Sequence, residues 1–196
     1  MNTPGHIVLN TLLLGRGRFR EHWPAIMAGA TVPDLPTVFF YAYQSMVLRS
    51  PERFIWNEAY FQSGWQAVFD TFHSLPLIAL LALLAWRARS EVGLAFLCSM
   101  ALHSIADLPL HHDDGHAHFF PFSSWRFQSP VSYWDPQHHG EIVLFAEAVL
   151  IVAGCISFTR SKHPRGLRIA SAGLLAAAVS YATYALVVWG GAAVTG

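Results

Sequence analysis

Charge is what this sequence has least of. Only 12% of its 196 residues are Asp, Glu, Lys or Arg, against 54% hydrophobic and 14% aromatic, about half the charged share of an ordinary soluble domain. A water-soluble globular domain is thereby excluded. Cysteine is almost as scarce: Cys98 and Cys155 are the only two. Each falls inside an apolar run, which excludes a disulfide framework and a thiolate metal site and leaves both as small buried hydrophobes. The formal net charge is zero and the basic residues sit in short loops, so no nucleic-acid partner is expected. The first apolar run, PGHIVLNTLLL, has no basic residue ahead of it and no small-residue cleavage site behind it. It reads as a short helix covering half a bilayer, not as a cleavable leader.

What the chain has instead is long apolar runs. Four of them, 66–86, 92–110, 141–159 and 170–190, are long enough to cross a hydrocarbon core of about 30 Å. A fifth, 24–46, is long enough but interrupted by Pro33 and Pro36. The expectation is an all-α integral membrane protein, a single domain over 1–196, with about five transmembrane helices plus the short N-terminal helix.

Lys and Arg orient it. Arg16, Arg18, Arg20, Arg87, Arg89, Arg160, Lys162, Arg165 and Arg168 fall on one side of the spans, and only Arg49, Arg53 and Arg126 on the other. The first side should be cytoplasmic, which turns the loop 111–140 outward. Trp23 and Trp86 lie near the inner boundary and Trp56, Trp65, Trp125 and Trp134 near the outer one, as interfacial belts require. The long loop is too aromatic for a disordered linker, so it should fold down over the helix ends as a cap.

Ionisable groups inside spans are costly and are functional candidates by default. Here they are His6, Asp34, Asp70, His73, His103 and Asp107. His6 lies ten residues from Arg16, Asp34 fourteen from Arg20, His73 fourteen from Arg87, and His103 fourteen from Arg89. Helical rise places all four at roughly 15–21 Å above the inner boundary, with Asp107 one turn higher. Four separate segments thus deliver a His or an Asp to one slab of the membrane. Asp-Leu-Pro occurs at both 34–36 and 107–109; each Pro removes a backbone N–H, and a membrane tolerates such breaks beside a cavity. His103 and Asp107, at i and i+4, share a helix face. Imidazole nitrogen with carboxylate oxygen suits a divalent ion, zinc first and manganese or iron next. The outer loop adds a denser but less specific set: residues 103–118 alone hold five His and three Asp, and a His-rich tract chelates metal whatever its purpose.

An N-terminal His, a PD after a small-residue apolar run, an HS-aliphatic and a later HSxxD resemble the bacterial inner-membrane metal-dependent hydrolases, some described as LexA-binding. The likeness covers about residues 1–110. The order His, Asp, His, HxxxD, then further His and an acid is more remotely similar to zinc-dependent phospholipase C. These resemblances imply a bacterial inner-membrane location and His6, Asp34, His73, His103 and Asp107 as metal ligands. For a further ion they imply His111, His112 or His116 and His138 or His139, with Glu141 in an HHGE motif where HxxxE is expected.

The function these readings predict is a metal-dependent hydrolase in the bilayer acting on an amphiphilic phosphoester, such as a phospholipid or a polyprenyl phosphate. Asp34 and Asp70 are the candidate general bases. Two other classes stay open. One is an accessory subunit of a larger membrane complex in which His73 or His103 ligates a macrocycle. The other is a metal transporter or sensor that uses the external tract.

Overall fold

The computed structural model describes residues 1–160 and 164–195, and beyond residue 180 the side chains of Thr183 and Val187 alone. Lys162, one of the nine basic residues used for orientation, lies outside the described residues. Helix α1 (Thr3–Leu14) opens on Asn2, whose side chain accepts from the Gly5 amide, a side-chain cap for an otherwise orphaned donor. A 3₁₀ stretch (Gly17–His22) leads into α2 (Trp23–Thr31), a 3₁₀ turn (Val32–Asp34) and α3 (Leu35–Ala42). Two π-helical turns flank the brief α4 (Glu52–Phe54). Helices α5 (Ser63–His73), α6 (Leu75–Arg87) and α7 (Glu91–Asp107) follow, then the long loop, α8 (Gly140–Phe158) and α9 (Arg165–Thr195). Among the described residues there is no strand.

Among the described residues three runs are long and apolar enough to cross a membrane: Gly17–Val47, Glu91–Leu110 and Gly140–Phe158. The expected 66–86 span is instead a bent pair, α5 and α6, broken by about 40° at Ser74, and counts as a fourth only if the pair is one span. Pro76 explains the bend. Sitting in the first turn of α6, it has no N–H to give to the preceding turn, and Ser74 adopts an extended conformation whose hydroxyl caps the Leu77 amide. Among the described residues the spans thus number three, or four with the bent pair. The 170–190 run lies on the continuous helix α9, with most of its later side chains outside the described residues. The break foreseen at Pro33 and Pro36 is the 3₁₀ turn Val32–Asp34, which keeps the chain helical on both sides.

Helices approach closely where they carry small residues, as packing without a hydrophobic drive requires. A Cβ added to Gly29 of α2 would stand 2.2 Å from the Phe96 carbonyl of α7, and one on Gly154 of α8 would stand 2.2 Å from Val8 of α1. Polar groups cross-link the same helices: Asn10 Nδ2 donates to Ser99 O and Oγ at 2.8 Å, and Ser99 Oγ donates to Ile26 O at 2.6 Å. Around this lie an α1–α8–α9 core of Val8, Ile151, Cys155, Phe158, Leu167 and Leu174 and an aromatic core of Phe40, Tyr60 and Phe69. Cys155 is buried as expected; Cys98 is only half-buried, and both thiols are free. Leu80, Leu81, Leu83 and Leu84 of α6 are exposed, an apolar face that suits lipid.

The loop 111–140 folds back on the helix ends. Ser129 N donates to His111 O, Tyr133 N to Leu110 O, and Leu75 N to His118 O. Its residues 111–118 are thereby pressed against α5 and α7.

Candidate metal centre

Asp107 is the hub. It ends α7, one turn beyond His103, and only 2% of its side chain is exposed. Its Oδ1 lies 2.8 Å from His6 Nε2, 3.3 Å from His111 Nε2 and 2.9 Å from the amino nitrogen of Met1. Its Oδ2 lies 3.1 Å from His103 Nε2 and 3.7 Å from His73 Nε2. The two oxygens face different imidazoles, the disposition of a carboxylate able to bridge. Asp34, aimed inward by the 3₁₀ turn, stands 3.4 Å from His103 Nε2, and its other oxygen accepts from Thr3 Oγ1 at 2.5 Å. The rings of His6 and His103 stack at 3.6 Å and those of His73 and His116 at 3.7 Å. Four segments thus meet: α1 through His6, the broken α2–α3 run through Asp34, the end of α5 through His73, and α7 through His103 and Asp107.

The tautomers are set by the backbone. His73 Nδ1 lies 2.8 Å from Phe69 O and His103 Nδ1 2.8 Å from Ala30 O. A carbonyl only accepts, so both Nδ1 atoms carry hydrogen, and each ring in its neutral form offers its Nε2 lone pair inward, the arrangement that orients metal-ligating histidines. Both Nε2 atoms are buried and face carboxylate oxygens, that of His73 at 3.7 Å and that of His103 at 3.1 and 3.4 Å. Nitrogen lone pairs facing carboxylate oxygens in a low-dielectric interior repel unless a proton or a metal ion lies between them. Three overlapping triads have donor atoms within 4.8 Å of one another: His6–His103–Asp107, Asp34–His73–His103 and His73–Asp107–His116. The buried cluster can therefore hold a metal ion, and its oxygen and imidazole donors fit one.

Comparison of this chain with known protein families, with curated proteins and with solved structures finds no match. The chemistry stands on these residues alone.

The outer tract divides in two. His111 joins Asp107 and lies 3.0 Å from Asp114 Oδ2; His116 joins His73. Burial alone would lower the pKa of His111, but Asp114 and Asp107 outweigh it and raise it to about 9. Burial lowers His116, and neighbouring His73 and His111 lower it further, so its imidazole is neutral and free to ligate. His112 and His138 form a separate stacked pair, 3.7 Å apart, whose Nδ1 atoms are bound to Ser129 O and Asp135 Oδ2. His139 and Glu141 are exposed at the start of α8. Asp70 is buried but turned to Arg126, with oxygens that also receive the Ala117 amide. It borders a groove of 460 Å³, lined also by Phe61, Gln66, Phe120 and Arg126, that contains none of the cluster residues.

Two groups, Glu147 and Thr3, escaped the sequence reading. Glu147, 3% exposed within α8, accepts from both the backbone and the side-chain nitrogen of Asn2, so it fixes the segment that carries His6. As a lone acid inside an apolar span it met the criterion that found the others. Asp114 orients His111, and Thr3 holds Asp34. Thr3→Val should weaken metal binding about 10–100-fold, the usual cost of losing a group that orients a ligand; competition against a chromophoric chelator measures it.

Proposed function

We propose that this chain is a membrane-embedded, metal-dependent hydrolase of amphiphilic phosphoesters, such as a phospholipid or a polyprenyl phosphate. In this reading the fold has about five spans in a bacterial inner membrane, and the 111–140 loop covers the centre from outside. The observation that carries it is the convergence of the oriented, buried Nε2 atoms of His73 and His103 on the carboxylates of Asp107 and Asp34. Zinc suits this donor set best. His6, Asp34, His73, His103 and Asp107 hold one ion or a pair of ions, with His116 completing the second position. Ions in such a site supply an activated water and a Lewis acid for a phosphoryl oxygen. The side chain of Asp34 is 25% exposed where that of Asp107 is 2%. Asp34 is thus the carboxylate at the rim, placed to take a proton from an entering water, while Thr3 keeps it oriented. Asp70, engaged by Arg126, is not in that role. The substrate class follows from the setting: helices with exposed leucines border the centre, so an acyl or prenyl chain can stay in lipid while its phosphoester reaches the ions.

The macrocycle reading is disfavoured by the same geometry. A haem or chlorophyll-type ring needs open apolar space in front of the ligating nitrogen, whereas the Nε2 atoms of His73 and His103 face the carboxylates of Asp107 and Asp34. Nor is the outer tract an independent sensor, because His111 and His116 share Asp107 with the core.

Zinc-reconstituted protein in detergent, presented with a panel of phosphoester lipids, should release phosphate or headgroup. 1,10-Phenanthroline should stop turnover, added zinc should restore it, and His103→Ala should reduce it to background. Metal-loaded protein that turns over none of the panel would contradict the reading.

A further inference from the structure

We infer that the Arg126–Asp70 ion pair is the positioning device of the centre, holding the 115–118 segment, and with it the His116 imidazole, against His73. The inference rests on the metal reading above. Asp70 and His73 stand three residues apart on α5, hence on one face: His73 turns to the cluster, and Asp70 reaches the strand of loop beside it. Asp70 Oδ1 accepts from the Ala117 amide at 2.9 Å and from one Arg126 terminal nitrogen at 3.0 Å; Oδ2 accepts from the other at 2.5 Å. The first of those guanidinium nitrogens also donates to Gly115 O at 2.6 Å. Arg126 therefore grips the peptide group before His116 directly and the one after it through Asp70.

The rings of His111 and His118 flank that imidazole at 5.4 and 6.3 Å. His116 Nδ1 is buried without a partner, and the ring rests on His73 at an interplanar angle of 16°. The fastening continues along the α5–α6 bend, where Leu75 N donates to His118 O and Ser74 Oγ to Phe120 O. A guanidinium is required because its planar fork can serve both carboxylate oxygens and a carbonyl at once, which an ammonium cannot. The Arg126 side chain is 31% exposed and lines the groove described above, so it can be replaced without opening a core.

The test is a double-mutant cycle read as zinc affinity, with circular dichroism and gel filtration in detergent checking each fold. Arg126→Gln should weaken zinc binding about 10–100-fold and remove one imidazole from the zinc X-ray absorption signature, as His116→Ala does. Arg126→Lys should recover part of the loss. In the His116→Ala background Arg126→Gln should add little, because both act through one ligand. Asp70→Asn provides a second entry into the cycle if Arg126→Gln does not fold. Zinc affinity unchanged by Arg126→Gln, or a full additional loss on top of His116→Ala, would overturn the inference while leaving the metal centre standing. Wild-type protein that binds no zinc would overturn both, and zinc-loaded protein that cuts no phosphoester would overturn the hydrolase reading while the cycle still supports the positioning role.

Discussion

Substituting Asn for Asp107 will weaken metal binding about a hundredfold while leaving the helical fold in place. Asn keeps the volume of Asp but removes the charge and turns one oxygen into a donor, and each Asp107 oxygen faces a different set of imidazoles. A four-ligand zinc site is worth about 10–16 kcal/mol, so one ligand contributes about 3 kcal/mol, roughly a hundredfold in affinity, at each position it serves. Zinc affinity should therefore fall about a hundredfold at each position Asp107 serves, and hydrolysis at limiting zinc should fall with it. Glu141→Gln, at an exposed carboxylate outside the cluster, should change neither. Native mass spectrometry of the detergent-solubilised protein reads both results.

Gly29→Ala should be the most damaging single methyl in the molecule's interior. The added carbon would stand 2.2 Å from the Phe96 carbonyl and 2.9 Å from Ser99 Cβ, and a helix backbone cannot yield as a side-chain tip can. Helix α2 must move off α7 at an overpacking cost of about 1–3 kcal/mol. That displacement has a chemical consequence. Ala30 O fixes the tautomer of His103, and Asp34 follows four residues later, so separating the two helices disorients two donors at once. Thermal unfolding in detergent should drop and zinc affinity should fall with it. Gly64→Ala, which meets nothing within 4 Å, should leave zinc affinity unaltered.

The sequence made the outline of this centre legible because burying a charge in an apolar run is costly enough to stand out. The shared depth of His6, Asp34, His73 and His103 is a consequence of helical rise, and the structure brings those four and Asp107 together. Asp70 met the same test and went elsewhere. Its partner, Arg126, lies 56 residues away, a separation at which no local spacing gives a signal. The outer histidines were undivided in the sequence for a related reason. Which imidazoles of the tract turn inward depends on the path of the loop, and that path is set by long-range bonds such as Ser129 N to His111 O. Glu147 carries the same signal, an acid buried inside the apolar run 141–159, whereas Glu141 stands at the exposed start of the same helix. For the fold, apolar length located the helices, but it read α5 and α6 as one span: the average hydropathy of 66–86 does not register that Pro76 denies the helix a donor and turns the chain at Ser74.

Elemental analysis of the purified wild-type protein, beside a His73→Ala/His103→Ala variant prepared identically, tests the central claim most directly. The account predicts stoichiometric divalent metal, zinc foremost, in the wild type and none in the variant. Equal metal in both, or none in a wild-type sample that has been offered zinc, would contradict it and make the cluster a polar network that binds helices to one another.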